Sequence, residues 1–384
     1  MGLLAGVVSG CANLVYDPSP KGDLPGGGRG APPPVPASTS AAGTSQKSGA
    51  SGGNGRRSST PPVTESPVSP PVSGASRPAP KPASTTEVGG AVADTVRRNR
   101  EAGRLVFRAG DRTVLEFQAQ PLLPAGVPEN YRRGGYIARI LTPSGRVISD
   151  DFPAKHIHHH GIWAAWTKTV FEGRQPDFWN MGEGKGRVQF LSTEVATPTH
   201  IRSRQRYVDM TIQPEKSVLE ESFDVQLRPS LGGIHPAYVF DVTLTQNALT
   251  SSPLELPEYL YGGLGFRGNA AWDGAANCQF LTSEGISDRV QAHATKARWC
   301  HISGLVDGQR AGVAILCHPG NFRAPQPMRV HPTEPFFCYA PPAGGAFSIQ
   351  PGQTYTARYR CVVFDGAPDR SWIDQQWTQY ANGR

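Results

Sequence analysis

The segment Thr354-Tyr355-Thr356-Ala357-Arg358-Tyr359-Arg360-Cys361-Val362-Val363 alternates between two sets of side chains. One set is Tyr, Ala, Tyr, Cys and Val, and the other is mainly Thr and Arg. Successive side chains of a β-strand point to opposite faces, so the pattern predicts a strand with one apolar and one polar face. Residues 238–244, YVFDVTL, alternate in the same way. Such strands are typical of a sheet that packs one face on a core.

Further strands are expected in pairs around turn residues, as in β-hairpins. The flanking segments and their turns are 105–107 and 113–117 around Gly110-Asp111, 136–141 and 146–149 around Pro143-Ser144-Gly145, and 207–212 and 218–227 around Pro214-Glu215-Lys216. The number of short strands and Gly/Pro turns favours an all-β fold, a large antiparallel β-sandwich.

Two helices are predicted. At the C-terminus Ile373, Trp377 and Tyr380 share one helical face, with Asp369 as the cap and Gly383 as the stop, so the sandwich ends in a short helix. A short lead-in helix is expected around residues 92–96.

The first 87 residues are predicted to lie outside the folded domain. Residues 12–87 are rich in Pro, Ser and Gly, a composition that cannot bury enough apolar surface to offset ordering entropy, so they are predicted to be a disordered linker. Residues 1–11 resemble a bacterial lipoprotein signal ending at the lipobox Cys11, although no Lys or Arg precedes the apolar run. The alternatives are an ordinary N-terminus with a chance cysteine, or a start assigned too late. Residues 88–384 form the predicted domain.

A lipid on Cys11 would place this domain in the cell envelope, held at the membrane only through that anchor. The net charge is +7, but acids are interleaved with the basic residues and no basic stripe appears. Nucleic acid is therefore not an expected partner. The five other cysteines contain no C-x-x-C pair and are expected to be buried thiols, with one disulfide as the alternative.

Four of the ten histidines lie within five positions, at His156, His158, His159 and His160. If the backbone is extended here, His156, His158 and His160 form one row and His159 faces the other way. Imidazoles on one face can coordinate a metal, move protons or bind a polar substrate.

This segment also resembles a known family, the soluble bacterial proteins labelled PmoA-like. Members carry a His-Pro-His-x-His-Gly or His-Pro-His-His-x-Gly run followed by an aromatic strand and Asp-Phe-Trp, which here is Asp177-Phe178-Trp179; Ile157 replaces the usual Pro. The resemblance runs from about Leu105 to Tyr380 and includes 131–136 (YRRGGY), 261–268 (YGGLGFRG) and 318–323 (HPGNFR). It implies a galactose-mutarotase-like β-supersandwich, in a family whose activity is poorly defined.

The candidate catalytic residues are His156, His158, His160 and Asp177, and the three histidines of the row are also the candidate metal ligands. One imidazole as general acid and a carboxylate as base is the alternative without a metal. The candidate substrate-binding residues are expected to stack on or donate to a sugar: Trp163, Trp166, Trp179, Arg267, His318, Asn321 and Arg323. The tryptophans equally suit the core of a sandwich.

Three hypotheses follow for the domain. The first is that it binds and processes carbohydrate, or another polar small molecule, at the histidine cluster. The second is a metal-dependent oxidoreductase or hydrolase that holds a divalent ion such as Zn²⁺, Fe²⁺ or Cu²⁺. The third is a non-catalytic module that binds glycans at the cell surface.

Overall fold

The computed structural model describes residues 94–99 and 103–383 of the chain. The described residues lie in the unit Gly89–Arg384. The predicted lipidated segment and linker fall outside them, so both stay predictions. No described helix is long and apolar enough to cross a membrane.

Eighteen strands and two α-helices make up the described chain. In the first half the strands are β1 (Asp94–Asn99), β2 (Arg104–Ala109), β3 (Arg112–Gln118), β4 (Tyr136–Ile140), β5 (Ile162–Ala165), β6 (Gly186–Ala196), β7 (His200–Asp209), β8 (Lys216–Leu231) and β9 (Ala237–Ala248). The second half contains β10 (Leu254–Leu256), β11 (Gly263–Arg267), β12 (Cys278–Thr282), α1 (Arg289–Ala292), β13 (Trp299–Val306), β14 (Gln309–Cys317), β15 (Met328–Val330), β16 (Phe336–Tyr339), β17 (Phe347–Ile349), β18 (Tyr355–Asp365) and α2 (Arg370–Ala381).

The strands form two eight-stranded sheets and one small two-stranded sheet. The first sheet has the order β1-β2-β3-β4-β5-β11-β16-β15, and the second has the order β12-β13-β14-β18-β9-β8-β7-β6. Neighbouring strands in both sheets run antiparallel. Apolar side chains from both sheets share one core, which includes Phe117 of the first sheet and Phe223 of the second. The predicted all-β antiparallel sandwich with a short C-terminal helix is confirmed.

The alternating segment of residues 355–363 lies in strand β18, at the centre of the second sheet. Ala357, Tyr359, Cys361 and Val363 lie in the shared core, as the alternation predicts. The opposite face of this sheet carries a separate apolar cluster, where Val362 and Phe364 pack with Ile373 and Tyr380 of α2. The Asp369 side chain accepts a hydrogen bond from the backbone N–H of Trp372 and so caps this helix as expected.

Two local predictions are wrong. The expected lead-in helix is strand β1, which pairs with β2 along its whole length; this pairing satisfies an otherwise open sheet edge and overrides local helix propensity. Residues 146–149 were expected to form a hairpin strand but contribute only isolated bridges, from Val147 to Leu141 and from Ser149 to Gly268.

The five cysteines of the described residues are all buried free thiols. The expectation of buried thiols is therefore confirmed, and the alternative of a disulfide among them is not met.

Candidate functional site

The histidine segment is a series of turns, not a strand. Phe152 has a φ of 55°, and the backbone N–H of His159 donates to the carbonyl of His156 at 2.8 Å. Strand β5 begins only at Ile162. Because the backbone turns, the alternation expected of a strand does not apply, and the predicted row of His156, His158 and His160 is wrong.

The turns instead bring His156, His158 and His159 together. One ring nitrogen from each lies within 4.8 Å of the others. The rings of His156 and His159 stack with centroids 4.8 Å apart, and His158 meets His159 edge-on at 4.5 Å. We call these three residues the histidine cluster.

Burial keeps two members of the cluster neutral. It lowers the pKa of His158 to about 3, with a further contribution from the neighbouring imidazoles, and it lowers the pKa of His159 well below its ordinary value. The Nδ1 atom of His159 is buried and has no hydrogen-bond partner in the described part of the chain. A buried polar atom without a partner is costly, and a bound ion or water is one way to satisfy it.

His160 does not belong to the cluster. Its Nδ1 lies 2.7 Å from the Asp151 carboxylate, and its ring stacks on Tyr136 at 3.8 Å. Burial raises the pKa of Asp151 to about 7. The following residue, Gly161, is needed because a Cβ there would lie 2.6 Å from the carbonyl oxygen of Ile137. His160 thus fixes the segment against Tyr136 of β4.

The carboxylate next to the cluster is Glu334, not Asp177. Glu334 Oε2 lies 3.1 Å from His156 Nε2 and also accepts a hydrogen bond from Arg267. Burial alone would raise the pKa of Glu334, but the hydrogen bonds from His156 and Arg267 hold it at about 2. Asp177 Oδ1 instead accepts from the backbone N–H groups of Trp179 and Asn180, each at 2.8 Å, and so orders its own loop.

Among the predicted substrate-binding residues, Trp163 and Trp179 lie against His159, with ring centroids 4.9 and 6.2 Å away, and the charged residue at this site is Arg267. Its side chain is 1% exposed, and its guanidinium joins Glu334 to Asp273. His331 also lies beside the cluster, 6.1 Å from His156 between ring centroids. Neither Glu334 nor His331 was predicted, although His331-Pro332-Thr333-Glu334 places both residue types in one short loop, a signal available in the sequence.

The three tryptophans are core residues. Trp163, Trp166 and Trp179 are at most 2% exposed, so none offers an open ring face to a sugar. Trp163 packs on Trp179 at 5.0 Å, and Gly265 allows this because a Cβ there would lie 2.9 Å from Trp179. The alternative interpretation as core side chains accounts for all three.

His318, Asn321 and Arg323 lie in the loop after β14. Asn321 exchanges two hydrogen bonds of 2.8 Å with the backbone of Arg358. Arg323 donates to the carbonyls of Pro341, Gly345 and Ala346, which joins this loop to the segment between β16 and β17. Asn321 and Arg323 therefore join this loop to β18 and to the segment after β16, and His318 lines a cavity.

A second buried polar group lies between the sheets, around Glu221 on β8. Its carboxyl accepts hydrogen bonds from Tyr207, Gln205 and Gln246. Burial raises the pKa of Glu221 to about 7, while the hydrogen bonds from Gln246 and Tyr207 and the charge of Arg133 act in the opposite direction.

Fold and site together define an antiparallel β-sandwich domain with a buried histidine cluster beside an arginine-bound glutamate. Residues 104–378 match the model of DUF6807, a family of unknown function, and the chain belongs to that family. The PmoA-like label stays a prediction, because the description of the matching family does not contain it. No curated protein matches the sequence.

Three solved structures resemble this chain at 9–10% identity. They are a galactose mutarotase related enzyme from Lactobacillus acidophilus (9% identity, TM-score 0.38, 71% of this chain and 97% of that one), a galactose 1-epimerase from Lactobacillus acidophilus NCFM (10% identity, TM-score 0.33, 71% and 94%) and heparan sulfate lyase HepC from Pedobacter heparinus (10% identity, TM-score 0.32, 72% and 37%). The chain spans little more than a third of the lyase. Because identities and TM-scores are this low, no activity is inferred from them.

Proposed function

We propose that the domain is a metal-dependent enzyme whose ion is held by His156, His158 and His159. The observation that carries the proposal is the convergence of three imidazole nitrogens within 4.8 Å of one another. Three histidines are an established ligand set for a catalytic zinc site, in which the fourth position is open to water or substrate.

Two contacts support this assignment. His159 Nδ1 is buried without a hydrogen-bond partner among the described residues, as expected of a nitrogen that receives a metal. Glu334 is ionised and bonded to His156, and a carboxylate that holds a ligating histidine orients the ring and strengthens the ligand. Zn–N bonds of about 2.0–2.1 Å would draw tetrahedral ligand atoms to about 3.3 Å apart, so binding requires small ring rotations. A bound ion supplies Lewis acidity and an activated water.

Cobalt spectroscopy tests the ligand set without requiring a substrate. Titration of the full chain with Co²⁺ is expected to give visible d–d bands of a low-coordinate nitrogen site at about one equivalent. His159→Phe retains a flat ring between His156 and Phe336 but removes the nitrogen ligands, and it should abolish these bands. His235→Asn, at a half-buried histidine that stacks on Trp372 of α2, is the matched control and should leave them unchanged. Equal spectra for all three proteins would contradict the proposal.

Carbohydrate binding is a second candidate function, with a sugar as the ligand or substrate of the histidine cluster. The half-buried ring of Tyr261 stacks on the buried Phe336, and Phe336 stacks on His159 at 4.6 Å, so Tyr261 is the partly exposed ring of a stack that ends at the cluster. Apolar ring faces beside polar groups suit a sugar. Glycan binding that is lost in His158→Ala would support the candidate, and saturable binding without product over long incubation would favour a non-catalytic module. Binding and turnover unaffected by His158→Ala would reject this site.

A further inference from the structure

The outward face of the second sheet carries a polar groove that lies apart from the histidine cluster. Alternate residues of β7, β8, β9 and β18 face this groove, while the residues between them lie in the core. Strand pairing sets two rows across the four strands. The first row is Arg202, Asp224, Thr243 and Arg358, and the second is His200, Gln226, Asp241 and Arg360.

Positive charge exceeds negative charge in this groove. Its lining holds four arginines and two aspartates, at Arg202, Arg228, Arg358, Arg360, Asp224 and Asp241. Asp241 is shared by Arg228 and Arg360, each at 2.7 Å. Asp224 accepts from Arg202 at 2.8 Å. Two positive charges therefore remain uncompensated by carboxylates of the lining.

Arg358 is the most available of these cations. It is exposed, and within residues 103–383 no carboxylate lies at ion-pair distance from its guanidinium. Its backbone is nevertheless fixed, because Asn321 bonds both its N–H and its carbonyl. A guanidinium fork on a rigid strand is suited to bidentate binding of a carboxylate.

Neutral hydrogen-bonding groups lie next to these charges. Thr243 and Thr245 are half-buried in the groove, and no hydrogen bond in the described part of the chain occupies either hydroxyl. Tyr380 of α2 closes one side, with its ring 4.5 Å from the guanidinium carbon of Arg360. The cavity measures about 430 Å³, within the range of small-molecule sites, roughly 300–1,000 Å³.

We propose that this groove binds an anionic saccharide, a sugar unit that carries a carboxylate. The carboxylate binds to Arg358, and the sugar hydroxyls bind to the two threonines. An anion is proposed because the groove has an excess of positive charge. A polyhydroxylated anion is proposed because the threonine hydroxyls beside this charge can bond to its hydroxyl groups. The proposal is independent of the metal at the histidine cluster.

Calorimetric titration of the full chain with D-galacturonate and D-glucuronate tests the proposal, with D-galactose and D-glucose as neutral counterparts and acetate as the simple anion. At least one uronate should bind about tenfold or more tightly than its neutral counterpart and than acetate, and high salt should weaken binding. Arg358→Gln should lose at least about tenfold in affinity, as expected for a lost charged hydrogen bond.

Arg204→Gln is the matched control, because Arg204 lies on β7 next to the groove but does not line it; its affinity should not change. His159→Phe should also bind the uronate normally, which separates this proposal from the metal site. Equal binding of uronate and acetate, no uronate binding at millimolar concentration, or unchanged affinity in Arg358→Gln would each overturn the proposal.

Discussion

The histidine cluster and the groove on the second sheet differ in how far their polar side chains are buried. In the cluster, turns hold His158 and His159 in the interior, where burial keeps the imidazoles neutral. In the groove, strands present Arg358 and its neighbours to solvent, where arginines stay charged. This difference indicates which ligand each region can bind, because neutral nitrogen donors suit a metal ion and solvated cations suit an anion.

The largest expected effect comes from removing Arg267. Its guanidinium is 1% exposed and bonds Glu334 and Asp273, so Arg267→Met leaves a buried carboxylate without its cation. The free energy of unfolding should fall by about 3–5 kcal/mol, as measured by urea denaturation.

Arg202→Met in the groove is the comparison. The Arg202 side chain is 43% exposed, so its ion pair is screened and the loss should stay below about 1 kcal/mol. If the two variants are destabilised equally, the contrast between a buried and a solvated region does not hold.

An intermediate effect is expected at Glu221, whose buried carboxyl has its pKa raised to about 7. Because its folded pKa lies above the unfolded value, its contribution to stability is fully present below about pH 4.5 and is lost as the pH rises through about 7. Glu221→Gln has no ionisable carboxyl at this position, so this pH-dependent part of the free energy of unfolding should be absent in the variant.

Unfolding free energies of the wild type and Glu221→Gln between pH 4 and pH 8 check this prediction. Parallel pH profiles would show that the pKa of Glu221 in the folded protein equals its unfolded value, which would contradict the prediction. The buried network would then resemble the groove in its charge state.

A small effect is also expected at the N-terminus of α2. Asp369→Ala removes the cap of the helix and should lower the free energy of unfolding by ~1 kcal/mol. The helix also supplies Tyr380 to the groove, so uronate affinity should change little if the helix stays docked. A large loss of affinity would show that the cap positions the groove, not only the helix.

Much of the fold was predictable because the two faces of its long strands differ in polarity. The alternation in β18 and β9 assigned core and solvent faces correctly, and Asp369 with Ile373 and Tyr380 marked the helix. Strand β1 was missed because its partner strand, not its local sequence, determines its structure.

The sequence predicts where the site lies, but it does not predict which residues form it. The sequence indicates that histidines 156–160 matter, but alternation applies only to extended backbone. The turn from His156 to His159 brings His159, and not His160, to the other two rings. Glu334 and His156 precede β16 and β5, and they meet because both of these strands pair with β11 in the first sheet. Such a contact between distant segments has no signature in local spacing, so nearby Asp177 was chosen instead.

The central claim is that His156, His158 and His159 hold a metal ion. Elemental analysis of the untagged full chain, purified without chelator and dialysed after incubation with Zn²⁺, tests it most directly. The account predicts close to one transition-metal ion per chain in the wild type and in His235→Asn, and none in His159→Phe. A wild-type chain that stays metal-free, or a metal content that His159→Phe does not change, would contradict it.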